Sequence, residues 1–179
     1  VSGIWQTVWL EPVNTSHIDG YKVTSDIDKG TITLLVASQS ADASATIVVT
    51  KEGKEIARLE NQAVNKNNTI TIPNAQLWSP DAPHLYDMTI QLYENGKKCD
   101  EIEGYFGMRK ISKGMVDGHP CFLLNNKPLF HFGVLDQGWW PDGLLTPPSD
   151  IAMKYDIEVV KSLGMNTIRK HIKVEPARW

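Results

Sequence analysis

The chain has no long hydrophobic run, no cysteine-rich region and no large excess of charge of one sign, and each absence excludes a class of protein. No apolar stretch approaches the roughly 20 residues that a membrane-spanning helix needs, so we expect no membrane partner. The net charge is −3 and lysine and arginine are scattered, so we expect no nucleic-acid partner. With 41% hydrophobic and 22% charged residues, the composition is that of an ordinary globular protein.

The only cysteines are Cys99 and Cys121. They lack the C-x-x-C or Cys/His spacing of zinc sites, so no metal site is predicted. No cofactor is expected either. Both cysteines follow turn residues, and we expect two reduced thiols packed against their neighbours. A disulfide has no support in the sequence, because bridging depends on how closely the two Cα atoms approach.

Residues 15–111 consist of short β-branched and apolar stretches separated by turn residues. These stretches predict seven strands, at about 18–23, 31–38, 45–50, 54–59, 69–73, 85–93 and 98–111. Seven strands over roughly 95 residues is the spacing of an immunoglobulin-like β-sandwich. The inter-sheet disulfide of antibody domains is absent, so the prediction concerns the architecture alone. The overall fold class predicted is therefore mainly β.

Four pairs of residues predict tight turns. Glu52-Gly53 and Asn95-Gly96 separate strands of the sandwich, and Asn-Gly is the strongest short-range hairpin signal in the chain. Asp117-Gly118 and Asn125-Asn126 predict a small hairpin after the sandwich, which would cover the bottom of a barrel. Asn126 is expected in the left-handed conformation, which asparagine tolerates better than other non-glycine residues.

Trp78 lies in the proline-containing segment 77–86, which proline makes extended and stiff. Two interpretations are open for its large ring. It would either close the open end of the sandwich or stack on a sugar. We favour the structural role, because the ring lies among rigid prolines.

After residue 128 the pattern changes to strand, helix and strand. The nearly continuous apolar run at 129–134 predicts a strand buried on both faces. Ser149, after two prolines, predicts a helix start, and an apolar stripe every four residues extends the helix over about 150–163 until Gly164 stops it. Residues 165–172 predict a second, parallel strand. This order is the truncated start of a (β/α)8 TIM barrel, which needs roughly 250 residues to close.

We expect the chain to be an internal piece of a longer protein. It opens directly into strand-like sequence and stops within an unfinished repeat. Three parts are predicted: residues 1–14 as the tail of a preceding domain, residues 15–111 as the sandwich, and residues 112–179 as the incomplete N-terminal part of the barrel.

Five segments resemble family 2 of the glycoside hydrolases, which contains β-galactosidases, β-glucuronidases and β-mannosidases. They are GIWQTVWLEPV, LWSPDAPHLYDMTIQLY, FGMRKI, FLLNNKPLFHFGV and DIEVVKSLGMNTIR, and they follow the order of that family. The resemblance implies the end of a jelly-roll sugar-binding domain, an immunoglobulin-like domain and the opening of a catalytic barrel. It further implies a retaining β-glycosidase that acts on a glycoside substrate.

In that family, two glutamates near the ends of the fourth and seventh barrel strands cleave the bond, one as acid/base and one as nucleophile. The chain stops after its second barrel strand, so we assign no catalytic residue and expect these 179 residues to be inactive alone. Glu158 is expected to be a solvated helix charge. Glu175, in the loop after the second barrel strand, would either line the substrate cleft of the intact protein or lead into a following helix.

The chain departs from the family pattern after both barrel strands. Gly133-Val134 is followed by LDQGWW, where many β-galactosidases have Asn-Arg-His-Glu. Arg169 is followed by Lys-His-Ile, where many members have Arg-x-Ser-His-Tyr-Pro, so the histidine is one residue closer to the arginine. The sugar and linkage that the whole protein acts on are therefore left open.

Five residues are candidates for substrate binding in the intact protein: Asp136, Trp139, Trp140, Arg169 and His171. Asp136 would accept hydrogen bonds from sugar hydroxyls or stabilise its own loop through backbone amides. The two tryptophans would stack on a pyranose or pack their loop. By resemblance, Arg169 would lie beneath the nucleophile and keep that carboxylate ionised. His171 would point to the same side of the strand as Arg169.

A rival interpretation is a non-catalytic carbohydrate-binding or interaction module, with the C-terminal segment as a docking arm. The two interpretations differ in whether several hundred residues with two suitable glutamates follow. In either case the strand edge and the apolar helix face of the barrel segment would be exposed. We therefore expect self-association through that segment.

Overall fold

The computed structural model describes residues 3–4 and 6–179. The chain forms two compact units. One is Pro12–Leu129, and the other contains Phe130–Trp179 together with the described residues that precede Pro12.

The first unit contains a β-sandwich of seven antiparallel strands. They are β1 Gly20–Asp26, β2 Thr31–Ala37, β3 Ser44–Lys51, β4 Lys54–Ala63, β5 Asn67–Thr71, β6 Tyr86–Glu94 and β7 Lys97–Phe106. One sheet has the order β1-β2-β5 and the other the order β4-β3-β6-β7. The prediction of a seven-stranded sandwich is confirmed.

The core lies between the two sheets and follows from the two-residue period of the strands. In β2, the side chains of Ile32, Leu34 and Val36 are fully buried, while the residues between them are only partly buried. The central strands β3 and β6 of the other sheet contribute residues such as Ile47 and Ile90 to the same cluster. Alternate residues of a strand point to opposite faces, so one face of each sheet forms the core.

The hairpin turns of the sandwich occur where the sequence predicts them. Glu52 and Gly53 have φ values of 51° and 76°, and Asn95 and Gly96 have 51° and 75°. Two consecutive residues with positive φ form the turn that matches the twist of paired strands. The pairing between β3 and β4 is interrupted by two register shifts, and that between β6 and β7 by one.

Strand β7 is shorter than predicted, because it ends at Phe106 and not near residue 111. Beyond the end of β7, Met108 no longer pairs with β6 and instead forms a parallel bridge with Leu77. A Cβ at Gly107 would lie 3.1 Å from the Cβ of Trp78, and the Arg109 guanidinium lies 4.8 Å from the centre of the Trp78 ring. Trp78 is therefore packed against residues 107–109, a contact that the structural interpretation of this residue requires.

A small three-stranded sheet follows, formed by β8 Ile111–Val116, β9 His119–Leu124 and β10 Lys127–Pro128. Both predicted turns are present, and Asn125 as well as Asn126 has positive φ, 52° and 65°. The Asn125 amide donates to the Trp78 carbonyl at 2.9 Å, and the Lys110 N–H donates to the Asn125 side chain at 3.0 Å. This sheet belongs to the same compact unit as the sandwich, so the predicted boundary at residue 112 falls within that unit.

Both cysteines are unbridged. The Cys99 Sγ lies 3.4 Å from the carbonyl of Leu92 on the neighbouring strand. Burial, with a smaller contribution from Glu94, raises the pKa of the Cys99 thiol. The expectation of reduced, partly packed thiols is confirmed.

The second unit contains β11 Gly133–Asp136, α1 Asp150–Ser162 and β12 Thr167–Lys170. The two strands pair in parallel, with Asp136 opposite Lys170. The Ser149 hydroxyl caps α1 by accepting from the Ala152 N–H at 3.1 Å. Gly164, with φ of 78°, ends the helix, and the Met165 N–H donates back to the Val160 carbonyl at 3.2 Å. This is the Schellman arrangement, which glycine favours.

On α1, Ile151, Tyr155 and Leu163 are exposed, as expected for the apolar helix face of this chain, and Met153 is buried. The prediction for the preceding strand is wrong in extent and in burial. That strand begins at Gly133 and not at 129, and the Phe130 side chain is 81% exposed. The physical reason is that β11 has β12 as its only strand partner among the described residues. No closed barrel is present in the part of the chain that the structure describes.

The N-terminal segment bears on the predicted tail of a preceding domain. Val1, Ser2 and Trp5, which belong to that prediction, lie outside the described residues. Residues 3–4 and 6–14 contain no helix or strand, and the assignment to a preceding domain stays a prediction. Across the described residues, no helix has the length and apolar character needed to cross a bilayer.

Candidate functional site

The candidate site is built at the carboxyl ends of β11 and β12. Asp136 and Lys170 are paired across the two strands, and Leu135 and Arg169 form the preceding pair. Because alternate residues point to opposite faces, Asp136 and Lys170 share one face while Arg169 projects from the other. Two of the five predicted residues, Asp136 and Arg169, are therefore on opposite sides of the strand pair.

On the first face, four charged side chains form a connected network. The Lys170 ammonium contacts Asp136 Oδ2 and lies 2.9 Å from Glu175 Oε1. The Lys173 ammonium lies 3.1 Å from Glu175 Oε2. This last approach is an ion pair without hydrogen-bond geometry, because Oε2 has no hydrogen-bond donor among the described residues. Two carboxylates and two ammonium groups make the network electrically neutral.

The network changes the pKa values of Asp136 and Lys170. Burial of the Asp136 carboxyl opposes its ionisation, but the hydrogen bonds from Lys170 and from the Gly138 N–H outweigh burial and lower the pKa of Asp136. Burial likewise opposes the charge of Lys170, and the hydrogen bonds to Asp136 and Glu175 raise the pKa of Lys170. The Lys170 ammonium also lies 3.7 Å from the centre of the Trp179 ring, as in a cation–π contact.

Gly138 is enclosed by the network. Its N–H donates to Asp136 Oδ1 at 2.6 Å, and its carbonyl accepts from the Lys173 ammonium at 3.0 Å. Asp136 thus makes the backbone hydrogen bond that the loop-stabilising interpretation of this residue requires. With φ of 67°, Gly138 has a backbone conformation that favours glycine.

On the opposite face, Arg169 and His171 are in contact. The Arg169 Nη1 lies 3.2 Å from His171 Nδ1, so the two side chains are on the same side, as predicted. The His171 N–H continues the strand pairing by donating to the Asp136 carbonyl at 2.8 Å. The Arg169 side chain is exposed, and its guanidinium is therefore accessible to a ligand.

The two candidate tryptophans lie in the loop that follows β11. Trp139 is 52% exposed and lines an open cleft of about 560 Å³ together with Asp136, Val134, Ile168 and Tyr155. Trp140 is half-buried, and its N–H and carbonyl exchange hydrogen bonds with Leu144 at 2.8 and 3.0 Å. The Trp139 ring is therefore available for contact, and the backbone of Trp140 closes a turn of the loop.

Lys170 and Lys173 are site residues that the sequence does not predict, and for Glu175 the sequence leaves two roles open. In the structure the Glu175 side chain is only 6% exposed and is paired with both lysines. No local pattern marks such a network, because Asp136 ends β11 while the other members lie at and just after the end of β12, and these segments meet only in the fold. Glu158 lies 3.5 Å from Lys154 on the exposed surface of α1, in agreement with its prediction as a solvated helix charge. Among the described residues, no cluster of three His, Cys, Asp or Glu side chains is arranged for a metal ion.

A sequence profile and the curated relatives of this chain agree on one family. A sequence profile described as "Glycosyl hydrolases family 2" matches residues 16–109. Curated relatives include a putative β-glucuronidase of Formosa agariphila, which is 26% identical over 93% of this chain. A β-galactosidase of Thermoanaerobacter pseudethanolicus is 28% identical over 93% of this chain.

Solved structures show the same fold. A β-glucuronidase from Ruminococcus gnavus, in complex with an N1-substituted uronic isofagomine, superposes on 92% of this chain with a TM-score of 0.78 and 20% identity. The chain covers 28% of that structure. It spans 21% of the Formosa relative and 24% of the Thermoanaerobacter relative.

Proposed function

The chain belongs to family 2 of the glycosyl hydrolases, and we propose on that premise that it is part of a retaining β-glycosidase. The observation that carries the proposal is the order of elements in one chain: a sandwich that matches the family over residues 16–109, followed by a parallel strand, helix and strand. Relatives that align with nearly the whole chain include β-galactosidases and a putative β-glucuronidase.

In this proposal, Pro12–Leu129 contains an immunoglobulin-like domain, and residues 130–179 form the first strand, first helix and second strand of a (β/α)8 barrel. The residues before the sandwich are the tail of a jelly-roll domain. The parallel pairing of β11 with β12 supports the barrel assignment, because parallel strands joined by a helix are the repeating unit of that fold.

The proposed substrate is a β-glycoside, and its binding residues lie at the carboxyl ends of the barrel strands. Arg169 and His171 project together from the face of the strand pair opposite Asp136 and Lys170. Arg169 holds a catalytic carboxylate ionised and oriented through charge-assisted hydrogen bonds. Trp139 offers its exposed ring to a pyranose. Asp136 lies on the other face and contributes to this site indirectly, by accepting a hydrogen bond from the Gly138 N–H and so holding the loop after β11.

The two catalytic carboxylates are proposed to lie outside residues 1–179, so this chain alone should not turn over substrate. The full-length protein is to be assayed against aryl β-glycosides that include a galactoside, a glucuronide and a mannoside. We expect hydrolysis of at least one of them, with the β-anomer formed first in NMR. Failure of the full-length protein on the whole panel contradicts the proposal.

Arg169 provides the sharper test within the described residues. Arg169→Met in the full-length enzyme is expected to lower kcat/KM by about 100-fold, as for loss of one preorganised charge-stabilising group. Arg58→Met is the matched control, because Arg58 lies on the sandwich surface and pairs with Glu55. Equal activity of the two variants argues against the assigned role. Glycan binding by the 179-residue chain in calorimetry instead supports the non-catalytic module.

The isolated chain is also proposed to self-associate through residues 130–179. Exposed apolar side chains on α1 include Ile151, Tyr155 and Leu163, and contiguous apolar surface of this kind promotes association. Sedimentation velocity over a range of concentrations should show oligomers, which Ile151→Lys combined with Tyr155→Lys reduces. A chain that stays monomeric at all concentrations contradicts this part of the proposal.

A further inference from the structure

We propose that Lys173 is a positioning residue that fixes the loop carrying Trp139 and Trp140. The inference rests on the glycosidase function proposed above, and it assigns a role to a residue that the family resemblance did not single out. Lys173 lies three residues beyond the end of β12, whereas the tryptophans follow β11. Its ammonium connects these two segments.

The ammonium group of Lys173 lies inside the protein. Lys173 is buried, with 3% of its side chain exposed, and lysine is almost never fully buried unless it is paired. Its Nζ donates to the Gly138 carbonyl at 3.0 Å and lies 3.1 Å from Glu175 Oε2. A buried charge with these partners is directed at the backbone of the β11 loop and not at solvent.

The network binds both backbone polar groups of Gly138. The Gly138 N–H donates to Asp136, and the Gly138 carbonyl accepts from Lys173. The carbonyl belongs to the peptide that joins Gly138 to Trp139, so its orientation sets where the chain continues. Fixing the orientation of that peptide therefore fixes where the segment containing Trp139 and Trp140 begins.

The lysine side chain packs against Gly138, where there is no side chain. A Cβ built on Gly138 would lie 2.6 Å from Lys173 Cδ and 2.9 Å from Lys173 Nζ. Contacts this short do not occur in folded proteins, so the lysine crosses directly over the glycine. The close approach and the hydrogen bond together define one packed arrangement of the two loops.

The charges of the network balance one another. Glu175 is paired with both Lys170 and Lys173, and Lys170 is also paired with Asp136. Removing Lys173 leaves two carboxylates against one ammonium group, and an excess of buried charge is unfavourable. The arrangement is therefore held as a unit, and the loss of Lys173 should free the Gly138 carbonyl and unbalance Glu175.

The test uses the full-length enzyme with Lys173→Met, which keeps much of the side-chain length and removes the charge. Lys154→Met is the matched control, because Lys154 is 76% exposed on α1. We expect Lys173→Met to raise KM for the aryl β-glycoside by about 10-fold or more, with a smaller change in kcat, since misplacement of a binding element acts on substrate positioning. Lys154→Met should leave both constants unchanged.

A second readout does not depend on turnover. Hydrogen–deuterium exchange followed by mass spectrometry should show faster exchange in peptides covering residues 137–145 of Lys173→Met, and unchanged exchange in those covering α1. If Lys173 only supports overall stability, exchange accelerates throughout residues 130–179 and KM stays at the control value, which overturns the proposal. Wild-type exchange rates at residues 137–145 overturn it as well.

The two readouts separate this inference from the proposed function. If the wild-type enzyme cleaves no glycoside but residues 137–145 lose protection in Lys173→Met, the function fails and the positioning role stands. If Lys173→Met does not fold, Glu175→Gln takes its place, because it removes one charge and preserves the shape of the side chain. The same outcomes then apply.

Discussion

The two compact units of this chain differ in what holds them together. In the sandwich unit, seventeen apolar residues form one buried cluster. In the described part of the other unit, the buried apolar side chains are Pro147 and Met153, and the buried Lys173 belongs to a charged network. The first unit is stabilised by apolar burial, whereas the second depends on local caps, one pair of strands and ion pairs.

This difference shows that similar-looking apolar patterns have different consequences in the two units. Ile47 in β3 is fully buried, whereas Ile151 in α1 is 81% exposed. Apolar burial contributes to stability in proportion to the area removed from water. Substitutions of the same chemical kind should therefore have very different costs in the two units.

The largest expected effect comes from shortening a core side chain. Ile47→Ala in the 179-residue chain should lower the free energy of unfolding by about 2–5 kcal/mol, because it leaves a cavity in a closely packed core. The matched change Ile151→Ala should stay within about 0.5 kcal/mol of the wild type. Urea unfolding followed by circular dichroism measures both, and equal losses would remove the contrast between the units.

An intermediate effect is expected where the small sheet joins the sandwich. Asn125→Ala should lower the free energy of unfolding by about 2 kcal/mol, because it removes two hydrogen bonds and places alanine at positive φ. Asn125→Gly restores the backbone freedom but not the hydrogen bonds, and should recover about half of the loss. Urea unfolding followed by tryptophan fluorescence measures both. Identical values for the two variants would show that the left-handed backbone carries no cost.

A smaller effect is expected at the start of α1. Ser149→Ala removes the side-chain cap of the Ala152 N–H and should destabilise the helix by about 1 kcal/mol. Hydrogen exchange in peptides covering residues 150–158 should become faster, while the strands of the sandwich keep their protection. Ser162→Ala, at the other end of the helix, is the control. Equal acceleration by both changes would contradict a specific capping role.

The smallest effect is a graded dependence on pH in the second unit. The pKa of Asp136 is lowered from its ordinary value of 3.8, so its contribution to stability is complete above that value. The contribution is lost as the pH falls through the lower, folded-state pKa. Lys170 has a raised pKa, so its contribution is present at neutral pH and is lost only as the pH rises through its folded-state value.

Asp136→Asn should abolish the acid part of this dependence in residues 130–179. Thermal unfolding measured from pH 7 downward should give curves for wild type and variant that converge at low pH. Asp142→Asn is a control in the same loop region. Curves that stay parallel at all pH values would show that the Asp136–Lys170 pair does not contribute to stability.

Much of the fold could be predicted from local signals. The seven sandwich strands, the hairpin turns and the limits of α1 depend on residue alternation, on Asn-Gly or Asp-Gly pairs, and on caps such as Ser149 and Gly164. These signals act over a few residues, so they do not depend on contacts with distant parts of the chain. β7 is shorter than its sequence predicts, because Met108 pairs with the distant Leu77 and Gly107 lies against Trp78.

The candidate site was less accessible to sequence reasoning. The contact of Arg169 with His171 follows from their spacing along one strand, and it was predicted. The charged network joins Asp136, at the end of β11, to Lys170, Lys173 and Glu175, at and just after the end of β12, and these two segments meet only in the folded chain. The predicted burial of 129–134 assumed strand neighbours on both sides, whereas β11 pairs with β12 alone among the described residues.

The close approach of Lys173 to Gly138 has a consequence for how this protein can change through evolution. With Lys173 in place, a side chain at position 138 meets the lysine stem, and the positive φ of that position strains any L side chain even where residue 173 is shorter. Lineages that shorten residue 173 should therefore still keep the glycine, whereas lineages that lose the glycine should also have rebuilt the loop after β11. An ancestral reconstruction would show substitution at position 138 as the rarer of the two changes.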